Sequence, residues 1–326
     1  MSKNIDIKLG YSCNNDCIHC VITEQKNNMI KSGKKIDRST DEIIKEIDDC
    51  WDKDFKNITF TGGEPTIRND FLYLLDYAKN KGFKTYLQTN ARKFASVDFS
   101  TKHISKIDYF MIALHGSQKE IHDSITQKSK SFEQTILGIN NILKESNANK
   151  VGIKLVISKN NMHDLLNTIK LVHSLGIKYI NIAFAHINGS ALINAEKIIP
   201  KYSMINKELL ACINYIKNQK NIFCDFESVL PCCFKEDIDL IFFADFNRIL
   251  NTYVNQLDEG LFNWENARLS SKKKIPQCSK CIYNRMCEGF WKEYIDMIGY
   301  HEFYEKQKMP IELLQNFIIK KNSFFK

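Results

Sequence analysis

Short apolar runs alternate along the chain with segments whose apolar residues recur every three to four positions. The runs are IDIKLG at 5–10, NITFTG at 57–62, FKTYLQT at 83–89, IDYFMIALHG at 107–116, VGIKLVIS at 151–158 and YINIAFA at 179–185. Their length and their Ile, Val, Phe, Tyr and Thr content read as strands. Helical periodicity fills 39–52, 70–81, 131–145 and 163–174. Strand–helix–strand order predicts parallel strands joined by right-handed crossovers, hence an α/β fold. Six strand units, not the eight of a closed barrel, predict a partial (β/α)6 TIM-like barrel. In such folds the loops after the strands carry the chemistry, so CNNDCIHC at 13–20, GGEP at 62–65 and QTN at 88–90 share one rim.

After Ala185 the rhythm breaks. NGSALINAEKIIP at 188–200 reads as loop, and a helix from about Ser203 to Lys217 opens a second unit. The expected division is a core of residues 1–200 and a Cys-rich module of residues 201–326.

Composition narrows the options. With 44% hydrophobic and 26% charged residues the chain is an ordinary globular one. The opening MSKNIDIKLG lacks the apolar stretch of a signal peptide, and no window is apolar enough to span a membrane, so a cytoplasmic protein is expected. The net charge of +8 is spread along the chain with no basic block, which argues against nucleic acid and leaves a mild attraction for acidic ligands.

Eleven cysteines, an odd count in a chain read as intracellular, point to metal ligation and not to disulfides. Cys13, Cys17 and Cys20 follow the first strand in an Asn/Asp-rich loop that aims three thiolates at one centre. A 4Fe–4S cubane takes four thiolates, so three would leave one iron open, and an open position marks chemistry. The alternatives are a zinc site completed by His19, or three unrelated buried thiols. CSKCIYNRMC adds Cys278, Cys281 and Cys287, a metal pattern that a zinc ribbon shares.

CNNDCIHC resembles the CxxxCxxC signature of the radical S-adenosylmethionine (SAM) superfamily, placed as there after the first strand. GGEP resembles that family's SAM-amino motif and TNA at 89–91 its ribose-contacting segment. ALHGSQKEIHDSITQKSKSFEQTILGINNI at 113–142 is similar to the SLHG, HD and SF...T...GI pattern of the peptide-modifying branch. CxxCxxxxxCxGxW, with Gly289 and Trp291, looks like the end of a SPASM or shorter twitch module.

The resemblance implies that Cys13, Cys17 and Cys20 hold a 4Fe–4S cluster whose fourth iron binds SAM. Gly62 and Gly63 then let backbone approach the ligand, Glu64 adds negative charge for its ammonium, and Thr89 and Asn90 meet the ribose. Taken alone, these are also ordinary turn and strand-end residues. His115 and His122 are given no catalytic role. The chain has Ala113 where many relatives have Ser, and no Arg within SITQK at 124–128. Lys154 or Asn160 is the candidate replacement for holding the SAM carboxylate, beside the plain reading as strand-end polar residues.

One auxiliary 4Fe–4S cluster is implied on Cys278, Cys281 and Cys287 with Cys232 or Cys233. A Pro-x-Cys pattern in relatives favours Cys233. Cys212 and Cys224 are spare thiols, and Cys50 is core. The expected function is modification of a peptide or protein side chain. A radical SAM dehydrogenase of a small metabolite is the alternative, and a non-catalytic iron–sulfur or zinc-binding electron-transfer protein is the alternative of another class. Expected partners are the substrate and an electron donor such as flavodoxin or ferredoxin. With no leader-binding domain before Asp6, a leader is expected to need a separate leader-binding protein or another surface of the chain. Asp225 and Glu227 are candidates for a general base by position alone.

Overall fold

The computed structural model describes residues 3–244, 252–304 and 306. Nine strands form one sheet: β1 (Lys3–Lys8), β2 (Phe55–Thr61), β3 (Lys84–Thr89), β4 (Tyr109–Ala113), β5 (Val151–Ile157), β6 (Tyr179–Phe184), β7 (Phe223–Glu227), β8 (Thr252–Gln256) and β9 (Gly260–Asn263). From β1 to β7 each strand lies parallel to the next in sequence. This is a partial TIM-like barrel of the expected class.

The six predicted strands are β1 to β6. β7 extends the sheet beside β6, β8 runs parallel to β1 on the other edge, and β9 folds back on β8. The sheet therefore continues past residue 200. The loop-like stretch at 188–200 holds two short helices, Ser190–Ile193 and Ala195–Ile198.

The predicted helices appear as Thr40–Asp52, Phe71–Lys81, Ser131–Glu145, Leu165–Ser174 and Tyr202–Lys217. Thr40–Asp52 shows why the periodicity is readable. Ser39 caps it, its backbone N–H donating to Glu42 at 2.6 Å, while Ile43, Ile47 and Cys50 bury one face. The helices Thr23–Lys31, Val97–His103 and Lys119–Thr126 were not predicted. At seven to nine residues they are too short for a periodic signal.

Alternation along each strand separates two faces. Ile5, Ile7, Ile58, Phe60, Leu87, Phe110, Ile112, Ile153, Leu155, Ile180 and Ile182 are at most 1% exposed and form the core under the crossover helices. The opposite face lines the barrel interior with Asp6, Thr59, Gln88, Tyr109, Lys154, Tyr179, Asn181, Asp225 and Glu227. A closed TIM barrel fills this space with branched apolar residues. Here polar residues take much of it, beside Met111, Ala113 and Ala183.

Beyond β9 the chain makes a two-stranded ribbon, β10 (Lys272–Lys273) and β11 (Phe290–Trp291), with the CSKC segment in a tight turn between them. Among the described residues no helix is long and apolar enough to cross a membrane.

Candidate functional site

The loop after β1 carries Cys13, Cys17 and Cys20, all half-buried. The three thiols are close enough for their charges to repel. Burial, chiefly, pushes Cys13 up to about 11 and Cys17 higher still. Such thiols ionise only when a cation meets them, which is the behaviour of metal ligands. The Asn15 N–H already donates to Cys13 Sγ at 3.4 Å.

Every part of this loop is anchored. Its backbone donates from Asp16 to Thr126 O at 2.9 Å and from Ile18 to Ile125 O at 3.0 Å, while Ser190 N–H donates to Cys20 O at 2.9 Å. Ser12 N–H donates to Asp37 at 3.0 Å. Asn90 Nδ2 donates to Asn14 Oδ1 at 2.7 Å, and Arg92 Nη1 donates to Asn14 O and to Asn15 Oδ1, the latter at 2.7 Å. Arg92 Nε is held by Gln134 at 2.7 Å. Arg92 was not predicted; its place directly after TNA was the available signal.

GGEP follows β2 and packs against this loop. A Cβ on Gly62 would lie 2.3 Å from Gly10 O, and one on Gly63 would lie 2.1 Å from Ser12 O. The gaps are closed by hydrogen bonds, Gly63 N–H to Gly10 O at 2.8 Å and Glu64 N–H to Ser12 O at 2.9 Å. The close approach that glycine permits is thus between two backbone segments, not only toward a ligand.

Glu64 is also engaged within the protein. Its carboxylate, 3% exposed, accepts from Thr66 Oγ1 and Thr89 Oγ1 at 2.7 Å each, from Asn90 N–H at 2.7 Å and from Thr66 N–H at 3.2 Å. Burial holds its pKa above the usual carboxylate range. Thr89 and Asn90 therefore meet Glu64 at the rim, beside the cysteine loop. Asn160 is exposed, 3.5 Å from Ser124. Lys154 points into the barrel interior, where its Nζ pairs with Glu227 and donates to Asn181.

His19, His115 and His122 pack together behind the loop. His19 and His115 meet edge to face with centroids 4.7 Å apart, and His115 stacks on His122 at 5.8 Å. Burial keeps His19 and His122 neutral, with pKa values of about 4. Backbone N–H groups donate to His122 Nδ1 at 3.1 Å and to His115 Nδ1 at 3.4 Å. Their role here is to seat the loop on β4.

The second cysteine group forms a recess lined by Cys232, Cys278, Cys281 and Cys287, closed by Pro231 and Phe290. Gly289 N–H donates to Cys287 Sγ at 3.4 Å. Cys233, which the Pro-x-Cys pattern favoured, does not line the recess: it is fully buried behind Cys232, and its Sγ accepts from Leu230 N–H at 3.4 Å. The tight turn Pro231–Cys233 leaves the two thiols hydrogen-bonded to each other but brings Cys232 alone to the recess wall, and this could not be read from the sequence. Cys50, Cys212 and Cys224 are buried in the core.

Among the described residues, no three His, Cys, Asp or Glu side chains converge as the ligands of one ion would. Thiolates on a cubane bind different irons and stand further apart. Both cysteine groups offer the all-thiol donor set that such clusters use.

Residues 7–184 match the sequence profile of the radical SAM superfamily. Fe-coproporphyrin III synthase of Methanosarcina barkeri is 29% identical over 196 residues, 56% of this chain and 45% of that protein. Mycofactocin maturase MftC of Mycolicibacterium smegmatis is 28% identical over 160 residues, 48% of this chain and 38% of that protein. The chain spans less than half the length of these relatives.

Two solved structures share the fold across nearly the whole chain. Streptococcus suis SuiB bound to SAM has a TM-score of 0.63 at 15% identity, covering 94% of this chain and 76% of that one. anSMEcpe with SAM and the Cp18Cys peptide has a TM-score of 0.62 at 14% identity, covering 98% and 99%. The profile covers more than half of the chain and takes in the cysteine loop, GGEP and TNA, which the structure brings to one rim; the chain therefore belongs to the radical SAM superfamily, whose members use a 4Fe–4S cluster and SAM.

Proposed function

We propose that the chain modifies a peptide or protein side chain by radical chemistry, forming a crosslink, a thioether or a dehydrogenated residue. The observation that carries this reading is the presence in one chain of the three-cysteine loop after β1 and a second group of four cysteines around one recess. Likeness to SuiB and anSMEcpe, both solved with SAM bound, covers 94% and 98% of this chain and so takes in that C-terminal region. Mycofactocin maturase is a further relative with a maturase name.

In this reading Cys13, Cys17 and Cys20 hold the SAM-binding cluster. Bound there, the cluster and SAM would supply reductive radical chemistry for hydrogen abstraction from a substrate. The protein's own part is to fix the loop, through Asn90, Arg92 and the Thr126 end of its helix, and to give the substrate a polar wall. Gly62 and Gly63 shape the ligand side of the rim, and Glu64 holds Thr89 and Asn90 in place. Cys232, Cys278, Cys281 and Cys287 hold the auxiliary cluster. Residues 1–200 serve as the SAM core and 201–326 as the auxiliary module, in a cytoplasmic protein reduced by a flavodoxin or ferredoxin and supplied by a separate leader-binding protein.

Anaerobic reconstitution with iron and sulfide, followed by SAM, dithionite and a peptide encoded beside the gene, tests this. Mass spectrometry is expected to find 5'-deoxyadenosine together with a mass change in the peptide. Efficient turnover of a small metabolite, with no effect of any peptide, would replace this reading with two-electron oxidation of an alcohol or sugar.

A further inference from the structure

Three neighbouring strands place one polar row on the barrel wall. Lys154 on β5, Asn181 on β6 and Asp225 on β7 are direct partners in the sheet register, so their side chains share the interior face. Tyr179 lies two residues before Asn181, and Glu227 two residues after Asp225, on the same face. Gly152 makes this crowding feasible: a Cβ there would sit 2.4 Å from the Tyr109 hydroxyl and 2.8 Å from the Tyr179 ring.

The charges on this wall do not cancel locally. The Lys154 ammonium pairs with Glu227 and donates to the Asn181 amide oxygen. Asp225, 8% exposed, receives only neutral donors: Asn181 Nδ2 at 2.6 Å, and the Tyr179 hydroxyl at 3.2 Å from each oxygen. A carboxylate accepts about four hydrogen bonds, so two donors leave Asp225 capacity for more. Burying a charge on neutral donors alone is costly, and a cation that brings its own N–H groups removes that cost.

The wall is reachable. The Lys154 and Glu227 side chains keep 32% and 23% exposure within the interior. The rim above it carries the cysteine loop, at the carboxyl ends of the same sheet.

We infer that the Lys154, Tyr179, Asn181, Asp225 and Glu227 wall is the substrate-recognition site, and that it receives a protonated amine or guanidinium, such as a lysine or arginine side chain. The inference rests on the proposed function for its substrate class and names the group within it. Asp225 is the primary contact. Tyr179 and Asn181 aim its carboxylate, and Glu227 offsets the Lys154 ammonium, which alone would repel a basic side chain. Burial pushes Asp225 up to about 6, against the attraction of Lys154 and with the repulsion of Glu227; Tyr109 and Tyr179 face it from β4 and β6. Recognition should therefore weaken as the pH falls through 6.

The test uses the reconstituted full chain and three probes, the N-acetyl amides of lysine, leucine and glutamate, followed by saturation-transfer NMR at pH 7.5. The lysine probe is expected to saturate, with the other two at least about tenfold weaker. Asp225→Asn should weaken the lysine probe about tenfold, and pH 5 should do the same to the parent protein. Glu227→Gln gives a second, milder loss should Asp225→Asn fold poorly, with circular dichroism and iron content reporting on folding. Equal or tighter binding of the leucine or glutamate probe overturns the inference, as does absence of binding by all three or an unchanged affinity in Asp225→Asn. Formation of 5'-deoxyadenosine is read separately, so a chain that cleaves SAM but ignores the lysine probe refutes this site and leaves the proposed function standing.

Discussion

The backbone N–H of Asn90 donates to Glu64 Oε2 at 2.7 Å, so a carboxylate from the loop after β2 holds the end of β3. Asn90 in turn holds Asn14 between two of the cluster cysteines. One buried acid thus holds the cysteine loop twice, through its own backbone N–H to Ser12 O at 2.9 Å and through Asn90.

Glu64→Ala strips an acceptor from Thr66, Thr89 and Asn90 at once. A loss of about 3 kcal/mol or more is expected, since each buried donor left unpaired costs about 1–3 kcal/mol. Glu64→Gln retains one acceptor oxygen and should lose less. Urea denaturation of the anaerobic protein measures both, and a Glu64→Ala protein within about 0.5 kcal/mol of the parent contradicts the staple.

Gly63→Ala places a methyl group 2.1 Å from Ser12 O, one residue before Cys13. Backbone has to move, and the cysteine loop moves with it. Less than half of the parent's iron should load at the first site, read by iron and sulfide assay. Normal loading would mean that the loop tolerates the displacement.

Arg92 is the charged side chain that donates hydrogen bonds to the cysteine loop among the described residues. Arg92→Gln should load less iron and blunt the change in the reduced cluster's EPR signal when SAM is added. Arg92→Lys, which lacks the fork geometry, should recover only part of both. Arg68, which clamps Leu9 O, Arg38 O and Asp70, provides the contrast: Arg68→Gln should lower Tm without altering the SAM-induced signal.

Cys232→Ser and Cys233→Ser separate the two readings of the auxiliary site. Cys232 lines the recess and Cys233 faces the core. Iron per chain should fall by up to about half in Cys232→Ser, one of two 4Fe–4S clusters, and stay near the parent value in Cys233→Ser. The reverse pattern would restore the Pro-x-Cys assignment.

The sign of the Asp225 effect on stability is fixed by its raised pKa of about 6, against an ordinary 3.8. Below about 4 the group is protonated in both folded and unfolded chains and contributes nothing. Between 4 and 6 the unfolded chain ionises first, and above 6 the ionised buried group costs about 3 kcal/mol. Asp225→Asn should match the parent in stability near pH 4 and exceed it at pH 8, in thermal melts across that range. A variant less stable at pH 8 would mean that the carboxylate is stabilised by its neighbours.

Sequence alone determined the alternation of six strands with five readable helices, because apolar periodicity is local and strong in elements of this length. It determined the two cysteine triplets as well, since Cys13, Cys17 and Cys20 fall within eight residues and Cys278, Cys281 and Cys287 within ten. What it left open depends on long-range pairing. β8 is a polar five-residue run, TYVNQ, that becomes a strand by lying against β1. Arg92 and Glu64 gained their roles from partners 78 and 26 residues away. The choice between Cys232 and Cys233 rests on which of two touching thiols a tight turn brings to the recess. The Asp225 row exists only because three strands pair in one register. Local chemistry is written in the order of residues, but which groups face each other is decided by the sheet.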